Sequence, residues 1–375
     1  MSHPTPSGTG VALAQERLTA FAKQEAAGES PLYEHLATAA CADAEVAELL
    51  TAAEEDQARA TLFFAAAHRL VIAEPTSQLA YYYPSVGGDR GVDQSTWPTF
   101  REFVLARADR MRELIATRIT QTNEVRRAAL LYPALVAIGK QAGAPLGLLE
   151  VGTSAGLLLG VDRYGYRYAL PGGDQVNAGP AKAALVLTSQ LGLADGVKKP
   201  ALPRKLAVGA RVGLDVHPVD LADEEELAWL EACVWADQLD RIRLLNTAAG
   251  VQAGGRPDLV TGDAVDDLAS AAARVPEDQP LVVFHSHTMP YLERERRSAF
   301  VEAVAALAAS RPVWWLSLEA YEAVLALVLP DRPDLASGDR LTGTLAITRW
   351  EDGKPQVNVL ARTEPHGGRL DWLAR

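Results

Sequence analysis

The stretch Pro145-Leu-Gly-Leu-Leu-Glu-Val-Gly-Thr-Ser-Ala-Gly-Leu-Leu-Leu159 constrains the fold of this chain more than any other. Leu146 to Val151 is an apolar run of the length of a buried parallel strand. Gly152-Thr-Ser-Ala-Gly156 turns it, and Leu157 to Leu159 read as the start of a helix that Thr153 and Ser154 can cap. A helix N-terminus presents free N–H groups and a partial positive charge. Gly152 and Gly156 carry no Cβ, so a ligand could approach the backbone closely there. Glu150 is a carboxylate at the tip of an otherwise apolar strand, and burying it without a partner is costly.

Before this stretch the chain reads helical. Val11 to Ala26, Asp43 to Leu50, Asp56 to Ile72 and Thr99 to Leu114 carry apolar residues at helical spacing, and Ser30-Pro31 opens a further helix. Tyr81 to Tyr83 fall in a loop of exposed aromatics. Residues 1–118 are therefore expected to form an all-helical cap that closes over a second domain, 119–375. The polar segment Gln121 to Arg127 precedes a helix from Ala128 to Gln141. It reads either as a capping segment or as cover for a polar ligand, with Asn123 and Arg126 as the contacts.

From Leu146 onward strands and helices alternate, which argues a parallel sheet. Strands are expected at Arg211 to Val216, Asp258 to Val260, Leu281 to Phe284 and Pro312 to Leu318, with helices Asp223 to Val234, Asp263 to Ala273 and Glu293 to Ala309 between them. Residues 164–204 are too many for a plain crossover. They read as an insertion, a hairpin begun by the alternating Tyr164, Tyr166 and Tyr168 followed by a helix from Pro180 to Leu191. Gly343 to Arg349 and Pro355 to Leu360 flank the turn signal Asp352-Gly353. The expected class is α/β, a mostly parallel Rossmann-like sheet closed by a C-terminal antiparallel hairpin, with the N-terminal helical cap.

Ligands of open α/β sheets bind outside the carboxyl ends of the strands. Those ends carry Glu150, Gly152, Thr153, Ser154 and Gly156; Asp215, His217 and Asp220; Gly262 and Asp263; His285, Ser286 and His287, with Tyr291 in the next turn; and Ser317 and Glu319. The spacing Glu-x-Gly-x-x-x-Gly differs from the dinucleotide fingerprint. It resembles the first motif of class I S-adenosylmethionine (SAM) methyltransferases. That resemblance implies SAM as cofactor, with Asp215 accepting from the ribose, Asp263 meeting the adenine amino group, and the Gly152–Gly156 loop lying against the methionine part. Further strings are Ser30-Pro-Leu-Tyr33, Gln121-Thr-Asn-Glu124, Asp162-Arg-Tyr164, Gly213-Leu-Asp215, Pro218-Val-Asp220, Phe284-His-Ser286, Trp315-Leu-Ser-Leu-Glu319 and His366-Gly367. Together with the glycine loop they resemble the bacterial DUF2332 family over nearly the whole chain. This family implies a methyltransferase-like fold. Position 287 departs from its pattern, which has a small apolar residue there.

For methyl transfer the protein must align donor and acceptor and, where required, remove a proton. His285, His287, Tyr291 and Glu319 are the candidates, with His285 as general base. Arg126 or Arg127 would pair with a carboxylate of SAM or substrate. Two alternatives stay open: a SAM-binding sensor or scaffold without transfer, and a metal site built from His217, His285, His287, Asp215 and Asp220. Formal net charge −12 disfavours nucleic acid as partner, so the acceptor is expected to be a small molecule or a protein side chain. The aromatics Tyr81 to Tyr83, Trp97 and Tyr164 to Tyr168 would roof it. Two cysteines without metal spacing fit a reducing cytoplasm. No signal peptide, membrane span or Walker loop is read, and serine-hydrolase chemistry is not expected.

Overall fold

The computed structural model describes residues 8–336 and 342–374. In chain order its helices and strands begin with α1 (Gly8–Phe21, continued by a π turn Ala22–Ala26), α2 (Pro31–Ala40), α3 (Ala44–Glu48), α4 (Ala60–Ala73), α5 (Thr96–Leu105), α6 (Ala108–Thr117) and α7 (Arg127–Ala142). Next come β1 (Leu146–Val151), β2 (Gly165–Ala169), β3 (Gln175–Ala178), β4 (Val186–Leu193), β5 (Val208–Asp215), α8 (Glu224–Cys233) and α9 (Leu239–Ala253). The chain ends with β6 (Asp258–Thr261), α10 (Leu268–Ala272), β7 (Leu281–Ser286), α11 (Arg294–Ser310), β8 (Val313–Glu319), β9 (Gly343–Glu351), β10 (Lys354–Thr363) and β11 (Arg369–Trp372). It divides into two compact units, Met1–Thr122 with Ala222–Arg243, and Asn123–Leu221 with Leu244–Arg375.

The first unit is helical in its described residues. Ser30 caps α2 by accepting from the Tyr33 N–H at 3.1 Å, with Pro31 at the first helical position. Phe21, Tyr33 and Phe64 pack with Trp235 and Phe100 into one aromatic core. The single helix expected over Thr99 to Leu114 is two, α5 and α6, broken at Ala106–Arg107. There the Arg107 guanidinium folds back over the Phe103 ring at 3.8 Å and onto Glu74. Of the three loop tyrosines only Tyr81 is exposed; Tyr82 and Tyr83 belong to the core.

His68 on α4 is fully buried, bonded to the Ala232 carbonyl at 3.1 Å and the Ser85 hydroxyl at 2.7 Å. Burial pushes its pKa down from 6.5 to about 4. A lowered imidazole pKa means that the unfolded chain binds the extra proton first. This contribution is present above pH 6.5 and is lost as pH falls toward 4. In urea unfolding, the stability of the wild type relative to His68→Gln should fall by about 3 kcal/mol across that window. An unchanged pH slope in the variant would count against the assignment.

The second unit is built on one 11-stranded sheet in the order β3-β2-β4-β11-β10-β9-β8-β7-β1-β5-β6. The run β6-β5-β1-β7-β8 is parallel throughout. β9 joins β8 antiparallel and turns through Asp352-Gly353 into β10. The turn requires positive φ at both residues, 49° and 74°, which that pair tolerates. β1, β7 and β8 are buried along their whole length, as their apolar sequences require.

The insertion begins as expected, with β2 and β3 an antiparallel hairpin. The helix expected from Pro180 to Leu191 is instead β4, which extends the sheet between β2 and β11. Its residues alternate exposed and buried, with Leu187, Ser189 and Leu191 inward, a period of two that a helix cannot satisfy. Tyr164, Tyr166 and Tyr168 do not roof a site. All three are buried, and their hydroxyls donate to the carbonyls of Leu157, Val161 and Ala129. Among the described residues no helix is long and apolar enough to cross a membrane.

Candidate functional site

Strand order reverses between β1 and β7: β5 and β6 lie beyond β1 on one side, and β8 lies beyond β7 on the other. Side chains from both sides gather at the carboxyl ends there. The loop after β1 is tightly closed. The N–H groups of Gly152 and Thr153 donate to the Leu214 carbonyl at 2.8 and 3.3 Å, and that of Gly156 to the Thr153 carbonyl at 2.8 Å. The Ser154 N–H donates to Asp215 Oδ2 at 2.7 Å. The glycines give room to the protein's own side chains. A Cβ at Gly152 would lie 2.4 Å from Thr288, one at Gly156 2.8 Å from Pro257, and one at Gly213 2.6 Å from Thr153.

No α-helix follows the loop. Leu157–Gly160 form one 3-10 turn, and β2 begins soon after. The carbonyls that would accept the helix's bonds are taken by side chains. Gln252 donates to the Gly156 carbonyl at 2.5 Å, Tyr164 to Leu157 at 2.6 Å and Arg211 to Leu159 at 3.1 Å, and Tyr166 takes Val161. Thr153 and Ser154 therefore cap nothing, and there is no helix N-terminus to hold an anion. The loop does satisfy the spacing Gly-x-Ser-x-Gly of a serine nucleophile elbow, and Ser154 has the positive φ, 48°, of an elbow residue. The helix that runs from an elbow serine is absent, and the Ser154 hydroxyl accepts from Asn123 Nδ2 at 2.8 Å.

Glu150, Thr153, Ser154, Asn123 and Asp215 form one network. The Thr153 hydroxyl donates to Glu150 Oε2 at 2.9 Å. Burial raises the Glu150 pKa to about 8, the Asp215 charge adding to this while Thr153 and Arg127 oppose it. Asp215 also accepts from the His217 N–H at 2.8 Å, so both its oxygens already serve backbone donors. Gly262 donates to the Asp215 carbonyl at 2.9 Å. Asp263 Oδ1 accepts from the N–H groups of Val265 and Asp266 at 2.7 and 3.0 Å and pairs with Arg296, so it holds its own turn.

At the ends of β7 and β8 the expected base, His285, is a core residue with none of its surface exposed. Its ring packs against Phe300 and Trp315. Trp315 Nε1–H donates to His285 Nε2 at 2.9 Å, which assigns the ring's proton to Nδ1; that atom donates to Glu319 Oε1 at 2.8 Å. Glu319 Oε1 also accepts from the N–H groups of Thr288 and Met289 at 2.7 and 3.2 Å. Burial pushes the Glu319 carboxyl up, but His285, His287 and the Thr288 N–H together hold it below its ordinary pKa. With both nitrogens engaged inside the core, His285 positions the turn after β7 and is not presented to a ligand. Tyr291 is 64% exposed, in the turn Met289–Tyr291.

Sequence reasoning names His287, Ser286, Arg126 and Arg127 but sets His285 before them as the base; the structure puts these groups, with Glu124, at this end. His287 has a left-handed backbone, φ 54°, uncommon for a residue with a side chain. Its pKa is pushed down to about 4, first by burial and then by the Arg127 charge. His287 Nε2 and Ser286 Oγ are buried with no hydrogen-bond partner in the protein. Arg127 Nε donates to the Pro365 carbonyl at 3.0 Å and Nη1 to the Ser286 carbonyl at 3.3 Å. Buried Glu124 accepts from the Arg126 N–H at 3.2 Å and lies 3.9 Å from His366. Arg126 itself is half-buried, its backbone packed against Gly367, where a Cβ would come within 2.5 Å. The signal for these groups was the polar string His-Ser-His at the end of an apolar strand.

Beside the loop a cleft of about 400 Å³ opens between Ala155, Pro218 to Leu221, Gln252, Arg256 and Pro257. This is ligand-sized. Among the described residues no three of the His, Cys, Asp and Glu side chains gather as a metal site would require, so the His217, His285, His287, Asp215 and Asp220 set does not assemble. The parts expected to hold SAM fit it unevenly: the two carboxylates stand at the right strand tips, but the glycine loop has spent the N–H groups of Gly152, Thr153, Ser154 and Gly156 within the protein.

Residues 15–372 match the model of a family described as an uncharacterized protein conserved in bacteria, DUF2332. No curated protein matches the chain.

Proposed function

We propose that this chain, which belongs to the bacterial DUF2332 family, is a methyltransferase-like α/β protein that binds a small cationic molecule at the β1–β7 reversal, with SAM as the foremost ligand. The observation that carries this reading is the parallel run β6-β5-β1-β7-β8 with Asp215 and Asp263 at the tips of the two strands beyond β1. That is the strand order of nucleotide-binding doubly wound sheets, whose second strand ends in an acidic residue at the ribose. Charge supports it too. The Asp215 carboxylate stands close enough to Glu150 to help raise its pKa, and a site lined by an acidic strand tip favours a sulfonium or an amine. The acceptor would be a small molecule or a protein side chain. The closed glycine loop does not fit SAM's methionine part as it stands.

That closed loop favours a second reading, a protein that keeps the fold and binds a small molecule as sensor or scaffold without transfer. Calorimetric titration of the wild type with SAM and with S-adenosylhomocysteine tests the first. Heat with either supports an adenosyl site, and Asp215→Ala should then weaken binding by about 1–3 kcal/mol. Absence of heat with both would overturn the SAM reading and leave the second.

A further inference from the structure

The sheet face that carries His285 holds a second group of polar atoms, separate from the ligand reading above. Cross-strand register puts Ser317 opposite His285 on one side and Ala346 on the other, and Glu319 opposite Thr344. Ser317, Glu319 and Thr344 therefore share one face, and directly opposed side chains have their Cβ atoms about 4.5–5.5 Å apart. Each of the three is at most 1% exposed. Glu319 Oε2, Ser317 Oγ and Thr344 Oγ1 have no hydrogen-bond partner in the protein, although Glu319 Oε1 has three. Ala346, opposite Ser317 and two residues from Thr344 on β9, adds only a methyl group to this face.

A buried carboxylate oxygen without a donor is among the most costly arrangements a core can hold. Here the nearby groups do not relieve it. The His285 ring turns its proton to Oε1, and Arg362, across from Thr344, sends its guanidinium to the carbonyls of Asp334 and Ala336 at 2.7 and 2.8 Å. What remains is a set of hard oxygen donors with a single carboxylate, enclosed by protein. Hard oxygens select alkali and alkaline-earth ions, and one carboxylate matches one positive charge.

We propose that a monovalent alkali cation binds between Glu319 Oε2, Ser317 Oγ and Thr344 Oγ1. The ion neutralises Glu319 and so fixes the turn Thr288–Met289 that the same carboxylate holds. Cation occupancy thus stiffens the backbone directly after His287.

The test is thermal unfolding of the full chain in sodium, potassium and choline chloride at matched ionic strength. Sodium or potassium, whichever fits, should raise the Tm of the wild type by about 3 °C over choline, saturating with concentration. Thr344→Val removes one oxygen at nearly constant shape and should abolish the increment while leaving the fold intact; Glu319→Gln should abolish it as well. Equal Tm in all three salts would overturn the proposal and leave water as the occupant. A wild-type increment retained in full by Thr344→Val would overturn it too, since the ion would then bind elsewhere.

Discussion

Replacing Glu150 with glutamine is expected to stabilise the protein by about 3–5 kcal/mol at pH 8 and to change little near pH 4.5. The reason is the wild type's own burden. Burial raises the folded-state pKa of Glu150 from 4.5 to about 8, so the folded chain keeps a proton that the unfolded chain has released. The native state then binds more protons than the unfolded state between those values, and stability falls as pH rises. Glutamine keeps an acceptor for the Thr153 hydroxyl and carries no proton to lose. Urea unfolding of both proteins from pH 4.5 to 8.5 measures the difference. Parallel stability curves would show that Glu150 ionises freely in the folded protein, and the closed loop beside it would need another explanation.

The largest loss is expected from Glu319→Ala, about 3–5 kcal/mol of stability. One oxygen of Glu319 serves His285 Nδ1–H and the N–H groups of Thr288 and Met289. Alanine leaves all three donors buried and unpaired, and opens a cavity beside the sheet. Glu319→Gln retains an acceptor and should lose much less. The same logic separates positioning from catalysis. His285→Gln should disturb the Thr288–Met289 turn, whose amide exchange would quicken, because the Trp315–His285–Glu319 chain no longer ends in a fixed carboxylate. Stability of Glu319→Ala within 1 kcal/mol of wild type, about the worth of one hydrogen bond, would contradict this account of the rim.

Much of the sheet was legible because its central strands are continuous apolar runs with polar tips. Leu146 to Val151 was delimited to the residue, β6, β7, β8 and β9 to within one or two residues, and β10 to within three. What failed has physical causes. The stretch Leu157-Leu-Leu159 reads as helix, but Gln252, Tyr164 and Arg211, distant in sequence or strand, occupy its carbonyls. β4 carries a period of two that was read as helix. The role of His285 could not be read from its strand-end position, because its partner Trp315 lies 30 residues on and seals it from one side. The glycine loop was legible as a turn; that its donors face Leu214 and Asp215 depends on the neighbouring strand β5.

Amide hydrogen exchange over residues 152–156, with and without S-adenosylhomocysteine, tests the central claim most directly. The proposed adenosyl site lies at a loop whose N–H groups are held by Leu214, Thr153 and Asp215. Slow exchange is expected at Gly152, Ser154 and Gly156 in the ligand-free protein. Saturating ligand should then raise exchange at Ser154, as Asp215 turns from that N–H to the ribose. Fast exchange throughout the loop of the free protein, or an exchange pattern that the ligand leaves untouched, would contradict it.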